Sequence, residues 1–175
     1  GVKDPRAALA NVAALARHPR SPYHPSAERE ARAMGLRFLA ECLESPSADR
    51  ALAHLPDLVR SLRTHSSYLE LLDRPALRRG VARVLGASDL LARILVSNPA
   101  LLPHVLVEET LPTRAILEDT SRTRLEGVSG DLEVSLDVLR SVKQEETLRV
   151  AMADLAQTIE VRIVWERLTD LAEVL

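Results

Sequence analysis

The fold class is decided by the stretch LRSVKQEETLRVAMADL at residues 139–155. Three of its apolar residues, together with Ile159 just beyond the stretch, repeat every three or four positions. The four residues are Leu148, Met152, Leu155 and Ile159. That interval places them on one face of an α-helix. The spacing therefore predicts one long helix from Asp131 to Gln157.

Two neighbouring segments leave a β-strand alternative open. Apolar and polar residues alternate through Leu132, Val134, Leu136 and Val138, and again through Ile159, Val161 and Ile163, as in half-buried strands. A competing pattern steps by three and four through Val161, Val164, Leu168, Leu171 and Leu175. This helical pattern, with the one at residues 148–159, favours helices in both segments.

Further helices are predicted towards the N-terminus, separated by turn signals. Asp4-Pro5 is a cap followed by a first-turn proline, and Ser67–Glu70 is a capping box. Three prolines place a loop at His18–Pro25, and Pro56 predicts a kink or break. The predicted helices cover about 4–17, 26–44, 48–63, 67–73, 75–85 and 114–124. A further helix, capped by Ser88 or Asp89, carries Leu90, Leu91, Ile94 and Leu95. A turn is predicted at Gly86-Ala87-Ser88 and a short segment from Asn98 to about Val105.

The composition agrees with an all-α protein. Aromatic residues make up only 2% of the chain, and the abundant Leu, Ala, Arg and Glu are strong helix formers. We predict an antiparallel bundle of short helices, then a long helix and a C-terminal helix. The predicted division is a helical subdomain at 1–107, a connecting segment at 108–130 and long helices at 131–175.

Charge and cysteine content exclude several function classes. The net charge of −2 argues against a nucleic-acid binder that acts through a general basic field. One cysteine, Cys42, permits neither an internal disulfide nor a thiolate zinc cluster. No apolar run reaches 18 residues, so we expect no membrane span and a cytoplasmic location. The missing initiator Met and the apolar pattern around Leu175 indicate a segment of a longer protein.

No catalytic, cofactor-binding or metal-binding residue is predicted. None of the histidines (His18, His24, His54, His65 and His104) stand three or four positions apart, so they form no helical metal pair. Cys42 follows Phe38 on an apolar face and is predicted to be a buried, unreactive thiol. Gly86–Leu91 resembles a nucleotidyltransferase turn, but Leu91 replaces the second carboxylate that a two-metal site needs, so a helix N-cap is favoured.

The densest polar cluster interrupts the apolar pattern of the long helix. It comprises the run from Lys143 to Thr147 (Lys143, Gln144, Glu145, Glu146 and Thr147) with Arg149 and Asp154. Glu145 and Arg149 stand four positions apart in the favourable order for an ion pair. The cluster is either a solvated helix face or a docking surface for a neighbouring domain.

A second charged group contains arginines only. Arg78, Arg79 and Arg83 stand on one predicted helix and Arg93 on the next. Together they could bind an anion or an acidic partner, although a solvated face is the commoner arrangement.

Several stretches resemble one enzyme family. Residues 139–155, followed by LTDLAEVL at 168–175, are similar to the helices that precede a catalytic domain of glutamine synthetase adenylyltransferase. SYLELL at 67–72, RVLGAS at 83–88 and NPALL at 98–102 resemble its central region. Gly1–Pro5 with Ala7–Leu9 resembles the beginning of that region. These matches occur in one order along nearly the whole chain.

The resemblance implies a bifunctional enzyme with two nucleotidyltransferase domains joined by a helical regulatory region. One half attaches AMP to glutamine synthetase with ATP and magnesium, and the other removes it. Glutamine and PII-type signalling proteins set the balance. No position here matches the metal-binding carboxylates, so the resemblance implies a non-catalytic regulatory segment whose partners are the flanking domains. Lys143, Gln144, Glu145, Arg149 and Asp154 would orient or dock a catalytic domain.

Two other functions remain open at this point. A free-standing helical adaptor would bind a partner helix in a groove. An arginine-dependent nucleic-acid binder would bind DNA or RNA with steep salt dependence, which a net charge of −2 disfavours.

Overall fold

A computed structural model describes residues 1–19, 21–62, 73–102, 111–128 and 130–175. Over these residues it contains eight α-helices, one 3-10 turn and no β-strand. The helices are α1 (Pro5–Ala16), α2 (Arg29–Leu43), α3 (Ala48–Ser61), α4 (Pro75–Ala87), α5 (Asp89–Ser97), α6 (Arg114–Glu126), α7 (Leu132–Leu155) and α8 (Val161–Val174), with the 3-10 turn at Pro99–Leu101. The predicted all-α class is confirmed. The alternating residues 132–138 lie in α7, and Val161 and Ile163 lie in α8, whereas Ile159 lies in the connection between the two helices.

The chain divides into two compact units, Gly1–Pro103 and His104–Leu175, here called the N-terminal and C-terminal units. The finer division at residues 107 and 130 stays a prediction. Other predicted features lie outside the described residues: the helix at 67–73, apart from its last residue, with its capping box, the end of the segment from Asn98 to about Val105, and the histidines at positions 65 and 104. No helix of the described residues has both the length and the apolar character needed to cross a membrane.

Helix α3 lies at the centre of the N-terminal unit and packs against α1, α2, α4 and α5. Burial of apolar surface stabilises this packing. Its fully buried large side chains include Phe38, Leu52, Leu55, Leu58, Val81, Val84, Leu85 and Leu95. Helix α3 continues through Pro56, so the predicted break does not occur.

Helix α1 begins as its sequence predicts and is tied to α3. The Oδ1 atom of Asp4 accepts a hydrogen bond from the amide of Ala7 at 3.0 Å, and Pro5 occupies the first helical position. The Asp49 carboxylate accepts hydrogen bonds from the amides of Lys3 at 2.8 Å and Asp4 at 3.0 Å. The N-terminal segment is therefore anchored at the beginning of α3.

Two predicted boundaries were wrong for local reasons. Helix α2 begins at Arg29, not Ser26, because the amide of Ser26 bonds to the His24 ring and the amide of Ala27 bonds to the His24 carbonyl. The predicted turn at residues 86–88 is not a turn. Helix α4 includes Gly86 and Ala87, and Ser88 alone is extended.

Ser88 ends α4 and begins α5. Its amide donates to the carbonyl of Val84, and its Oγ atom accepts from the amide of Leu91 at 3.5 Å. The predicted N-cap is therefore confirmed. Arg50 of α3 holds this corner, because its guanidinium donates to the Ala87 carbonyl at 2.7 Å and pairs with Asp89 at 3.3 Å.

In the C-terminal unit, α6, α7 and α8 pack against one another in pairs. Asp131 caps α7 by accepting from the amides of Glu133 and Val134. Helix α7 ends at Leu155, where Gln157 takes a left-handed conformation with φ of 58°. One apolar cluster of this unit contains Leu117, Val142 and Leu171, with Val174 packed against it.

Candidate docking surface

The five polar residues singled out on the long helix do not share one environment. Lys143 and Asp154 are exposed, and Gln144 is half-buried. Glu145 and Arg149, in contrast, are only 6% and 8% exposed. The structure therefore brings Glu145 and Arg149 together inside the protein and leaves Lys143 and Asp154 in solvent.

Glu145 and Arg149 belong to a buried charge network that also contains Arg124 and Glu146. Arg149 Nη2 contacts Glu145 Oε1 at 3.1 Å, and Arg149 Nη1 pairs with Glu146. Arg124 of α6 reaches the other oxygen of Glu145 at 2.9 Å. The predicted Glu145–Arg149 pair is confirmed, but the suggestion that it lies on a solvated face is wrong.

The network links α6 to α7 through one ion pair, from Arg124 to Glu145, in addition to the apolar cluster that contains Leu117 of α6 and Val142 of α7. Glu145, Glu146 and Arg149 are buried, whereas Arg124 is exposed. Removing one partner of a buried pair leaves an uncompensated charge, which costs about 3–5 kcal/mol. The network therefore fixes α6 against the middle of α7, a positioning role rather than an exposed binding role.

Sequence reasoning missed Arg124 and the part played by Glu146. Arg124 lies 21 positions before Glu145, and no helical spacing relates residues on two different helices. Glu146 stands three positions before Arg149, which is also a pairing distance on a helix. That second spacing was a usable signal.

A line of exposed apolar residues runs along α8. It is here called the α8 stripe and comprises Val161, Trp165, Leu168, Ala172 and Leu175. Trp165 is 69% exposed and Val161 68%, whereas Leu171 on the adjoining face is 5% exposed. The single apolar pattern predicted for this helix is thus divided between a packed face and an open one.

The two units carry opposite net charge. Residues 1–103 contain 15 basic and 10 acidic side chains, a net charge of +5. Residues 104–175 contain 8 basic and 15 acidic side chains, a net charge of −7. The α8 stripe therefore lies on an acidic unit, a fact hidden by the overall charge of −2.

The arginine group is divided in the structure. Arg78 is buried and pairs with Glu41 at 3.0 Å, which corrects its assignment to an anion site. Arg79, Arg83 and Arg93 are exposed. Such exposed side chains are typical of a solvated surface.

The thiol of Cys42 is buried, as the sequence predicts. Burial, followed by the charge of Glu41, raises the pKa of Cys42 to about 12. The thiolate is therefore almost absent at neutral pH, which makes Cys42 a poor nucleophile.

The stretch Gly86–Leu91 forms a helix corner. A Cβ atom on Gly86 would lie 2.3 Å from Ser45 Oγ, so glycine is required by close packing. Asp89 contacts His54 Nε2 at 2.9 Å. That hydrogen bond, with the charge of Arg50, lowers the pKa of Asp89. Over the described residues, no three His, Cys, Asp or Glu side chains cluster so as to hold a metal ion.

The described residues thus form an all-helical protein with an open apolar stripe on an acidic unit. Residues 79–175 match the family model described as glutamate-ammonia ligase adenylyltransferase. That match covers more than half of the chain. The chain therefore belongs to the glutamate-ammonia ligase adenylyltransferase family.

Its curated relatives are bifunctional glutamine synthetase adenylyltransferase/adenylyl-removing enzymes. Those of Burkholderia mallei and Burkholderia pseudomallei are each 30% identical over 99% of this chain. The enzyme of Ralstonia nicotianae is 32% identical over 78% of it. The chain spans only 19% of the two Burkholderia proteins and 15% of the Ralstonia protein. No solved structure matches the chain significantly.

Proposed function

We propose that this chain is a non-catalytic segment between the two catalytic domains of an enzyme that adenylylates and deadenylylates glutamine synthetase. One observation carries the proposal: relatives with that double activity match 99% of this chain with only 19% of their own length. Most of a relative therefore lies outside the matched segment. The flanking nucleotidyltransferase domains are the first partners of this segment.

Coupling between the flanking domains is the proposed mechanism. A regulatory segment must have states that an effector binds with different affinity. The buried charge network holds α6 and α7 together. This supports a mechanism in which a movement of one helix is passed to the other while both keep their helical structure. Glutamine synthetase and a PII-type signalling protein are the proposed external partners, in the cytoplasm.

ATP and magnesium belong to the flanking domains in this proposal. Because the described residues offer no cluster that fits a metal ion, no step of AMP transfer is assigned to them. The exposed Lys143 and Asp154 are proposed to contact a catalytic domain. Gln144 stands between the solvent and the network, and Glu145 and Arg149 hold α7 in place.

The proposal is tested by comparing the pure chain with the full-length enzyme. We expect the pure chain to fold and to transfer no labelled AMP to glutamine synthetase. In the full-length enzyme, Lys143→Glu with Asp154→Arg should change the ratio of AMP attachment to AMP removal. Arg140→Glu, at another exposed position on α7, is the matched control. AMP transfer by the pure chain, or an unchanged ratio, would overturn the proposal.

A further inference from the structure

We propose that the α8 stripe is the surface on which a helix of a catalytic domain of the full-length enzyme binds. This inference rests on the proposed function and adds the contact residues and the chemistry of the bound helix. The bound helix carries an apolar face.

The spacing of the α8 stripe fits a helical partner. Its five residues are separated by four, three, four and three positions, the interval of a helix–helix seam. Leu171, outside the stripe, contributes to the packed cluster of the C-terminal unit. Helix α8 is thus apolar on two adjoining faces, which is typical of a helix that packs on both sides.

Trp165 makes this surface specific. It is the only tryptophan of the chain and lies in the middle of the stripe, 69% exposed. Tryptophan is enriched among the few residues that dominate the binding energy of interfaces. An exposed tryptophan aligned with four other apolar residues differs from a single scattered apolar side chain, which needs no explanation.

Length and charge identify the occupant. The relatives extend far beyond the segment that this chain matches, so their remaining domains are available at high effective concentration. The unit that carries the stripe has a net charge of −7. Two copies of it would repel each other, which disfavours a second copy as the occupant.

Thiol labelling tests the contact directly. Ala172→Cys places a thiol in the stripe, and Ala10→Cys places one at an exposed position of α1. Labelling by a maleimide is measured in the chain alone and in the full-length enzyme, each against its unmutated parent. We expect labelling at position 172 to be about tenfold slower in the full-length enzyme. Labelling at position 10 should be the same in both proteins.

Two other labelling results are possible, one if the stripe has no occupant and one if a second copy of the chain covers it. Equal rates at position 172 in both proteins would overturn the inference. Protection in the chain alone that rises with its concentration would identify a second copy as the occupant, and would overturn it as well.

Trp165→Glu in the full-length enzyme separates this inference from the proposed function. Because Trp165 is exposed, we expect the variant chain to unfold at the same urea concentration as its parent. The full-length variant should lose protection at position 172, and its AMP transfer should fall at least about tenfold. Leu90→Glu, at an exposed leucine of the N-terminal unit, is the control. If the parent enzyme transfers AMP but position 172 is labelled as fast in it as in the chain alone, the proposed contact at the α8 stripe is overturned. The proposed function would not be affected by that result. A parent enzyme without AMP transfer would overturn the proposed function.

Discussion

The two units of this chain are stabilised by different kinds of interaction. In the N-terminal unit, large apolar side chains from α2, α3, α4 and α5 are fully buried, and Phe38 is 0% exposed. In the C-terminal unit, the described contacts include the cluster around Leu171, the buried Leu148, and a charge network of one α6 side chain with three of α7. The N-terminal unit also has exposed leucines, among them Leu9 and Leu90, but the exposed apolar residues of the C-terminal unit include the regularly spaced α8 stripe.

The contrast lies in how each unit uses its apolar side chains, and the docking role inferred for the α8 stripe gives a reason for it. A unit that reserves apolar surface for a partner has less of it for its own core, and the net value of burial depends on area. Paired charges can hold helices in register without using that surface. The predictions below test whether the C-terminal unit depends on charge as strongly as the N-terminal unit depends on apolar burial.

The largest effect is expected at Arg149. Arg149→Ala removes the buried cation that pairs with Glu146 and with one oxygen of Glu145, and should lower the free energy of unfolding by about 3–5 kcal/mol. Arg140 pairs with Asp137 on the same helix in full solvent, so Arg140→Ala should cost at most about 1 kcal/mol. Urea unfolding of both variants is the measurement. Equal losses would show that the network contributes no more than a surface pair.

The next effect is expected at Leu85 in the N-terminal unit, which is 0% exposed. Leu85→Ala removes apolar contacts and opens a cavity, and should cost about 2–5 kcal/mol. Leu90→Ala changes a leucine that is 65% exposed and should stay within about 0.5 kcal/mol. Thermal and urea unfolding give both values. A small loss at Leu85 would contradict the description of this unit as one held by burial.

A smaller effect is expected at Gly86. The Cβ atom of alanine would lie 2.3 Å from Ser45 Oγ and 3.1 Å from the Ser47 carbonyl oxygen. Gly86→Ala should therefore cost about 1–3 kcal/mol. Adding Ser45→Gly should recover part of the loss, because it removes the nearer atom. Gly127→Ala is the control: its nearest neighbour is 3.5 Å away, so it should be neutral or stabilising by about 0.4–1 kcal/mol.

The smallest effect concerns acid stability of the N-terminal unit. Hydrogen bonds from the amides of Asp4 and Lys3 lower the pKa of Asp49, and the hydrogen bond from His54 lowers that of Asp89. A lowered carboxyl pKa adds stability above the unfolded value of about 3.9. That stability is lost as the pH falls through the folded value. Urea unfolding between about pH 6 and pH 3 should show a shallower loss for Asp49→Asn than for the parent chain. An unchanged pH dependence would contradict the anchoring role of Asp49.

The sequence predicts the helices well where local signals act alone. Asp4 caps α1 as predicted, and Ser88, one of the two predicted candidates, caps α5. The long helix begins beside Asp131, as its predicted start indicates. The end of α7 was less clear, because Gln157 takes a left-handed conformation that glycine usually adopts. The start of α2 depends on hydrogen bonds to His24, which no helix-start pattern contains.

The candidate surface was harder to predict because burial is a property of the folded chain. Glu145 and Arg149 have the same local spacing as many solvated pairs, and only the position of α6 encloses them. The apolar pattern of α8 predicted one packed face, whereas the structure buries Leu171 and exposes Leu168. A helical pattern identifies apolar faces but does not state which of them has a partner within the chain.

The corner at Ser88 has a consequence for insertions into this chain. One residue separates α4 from α5, so only its two backbone dihedral angles set the angle between the helices. An added residue there would change the direction of α5 against α4 and displace the Arg50 contacts. The exposed connection Ala156–Glu160 between α7 and α8 has no such restriction. Length variation among related chains should therefore be found at residues 156–160 and be absent at the Ser88 corner.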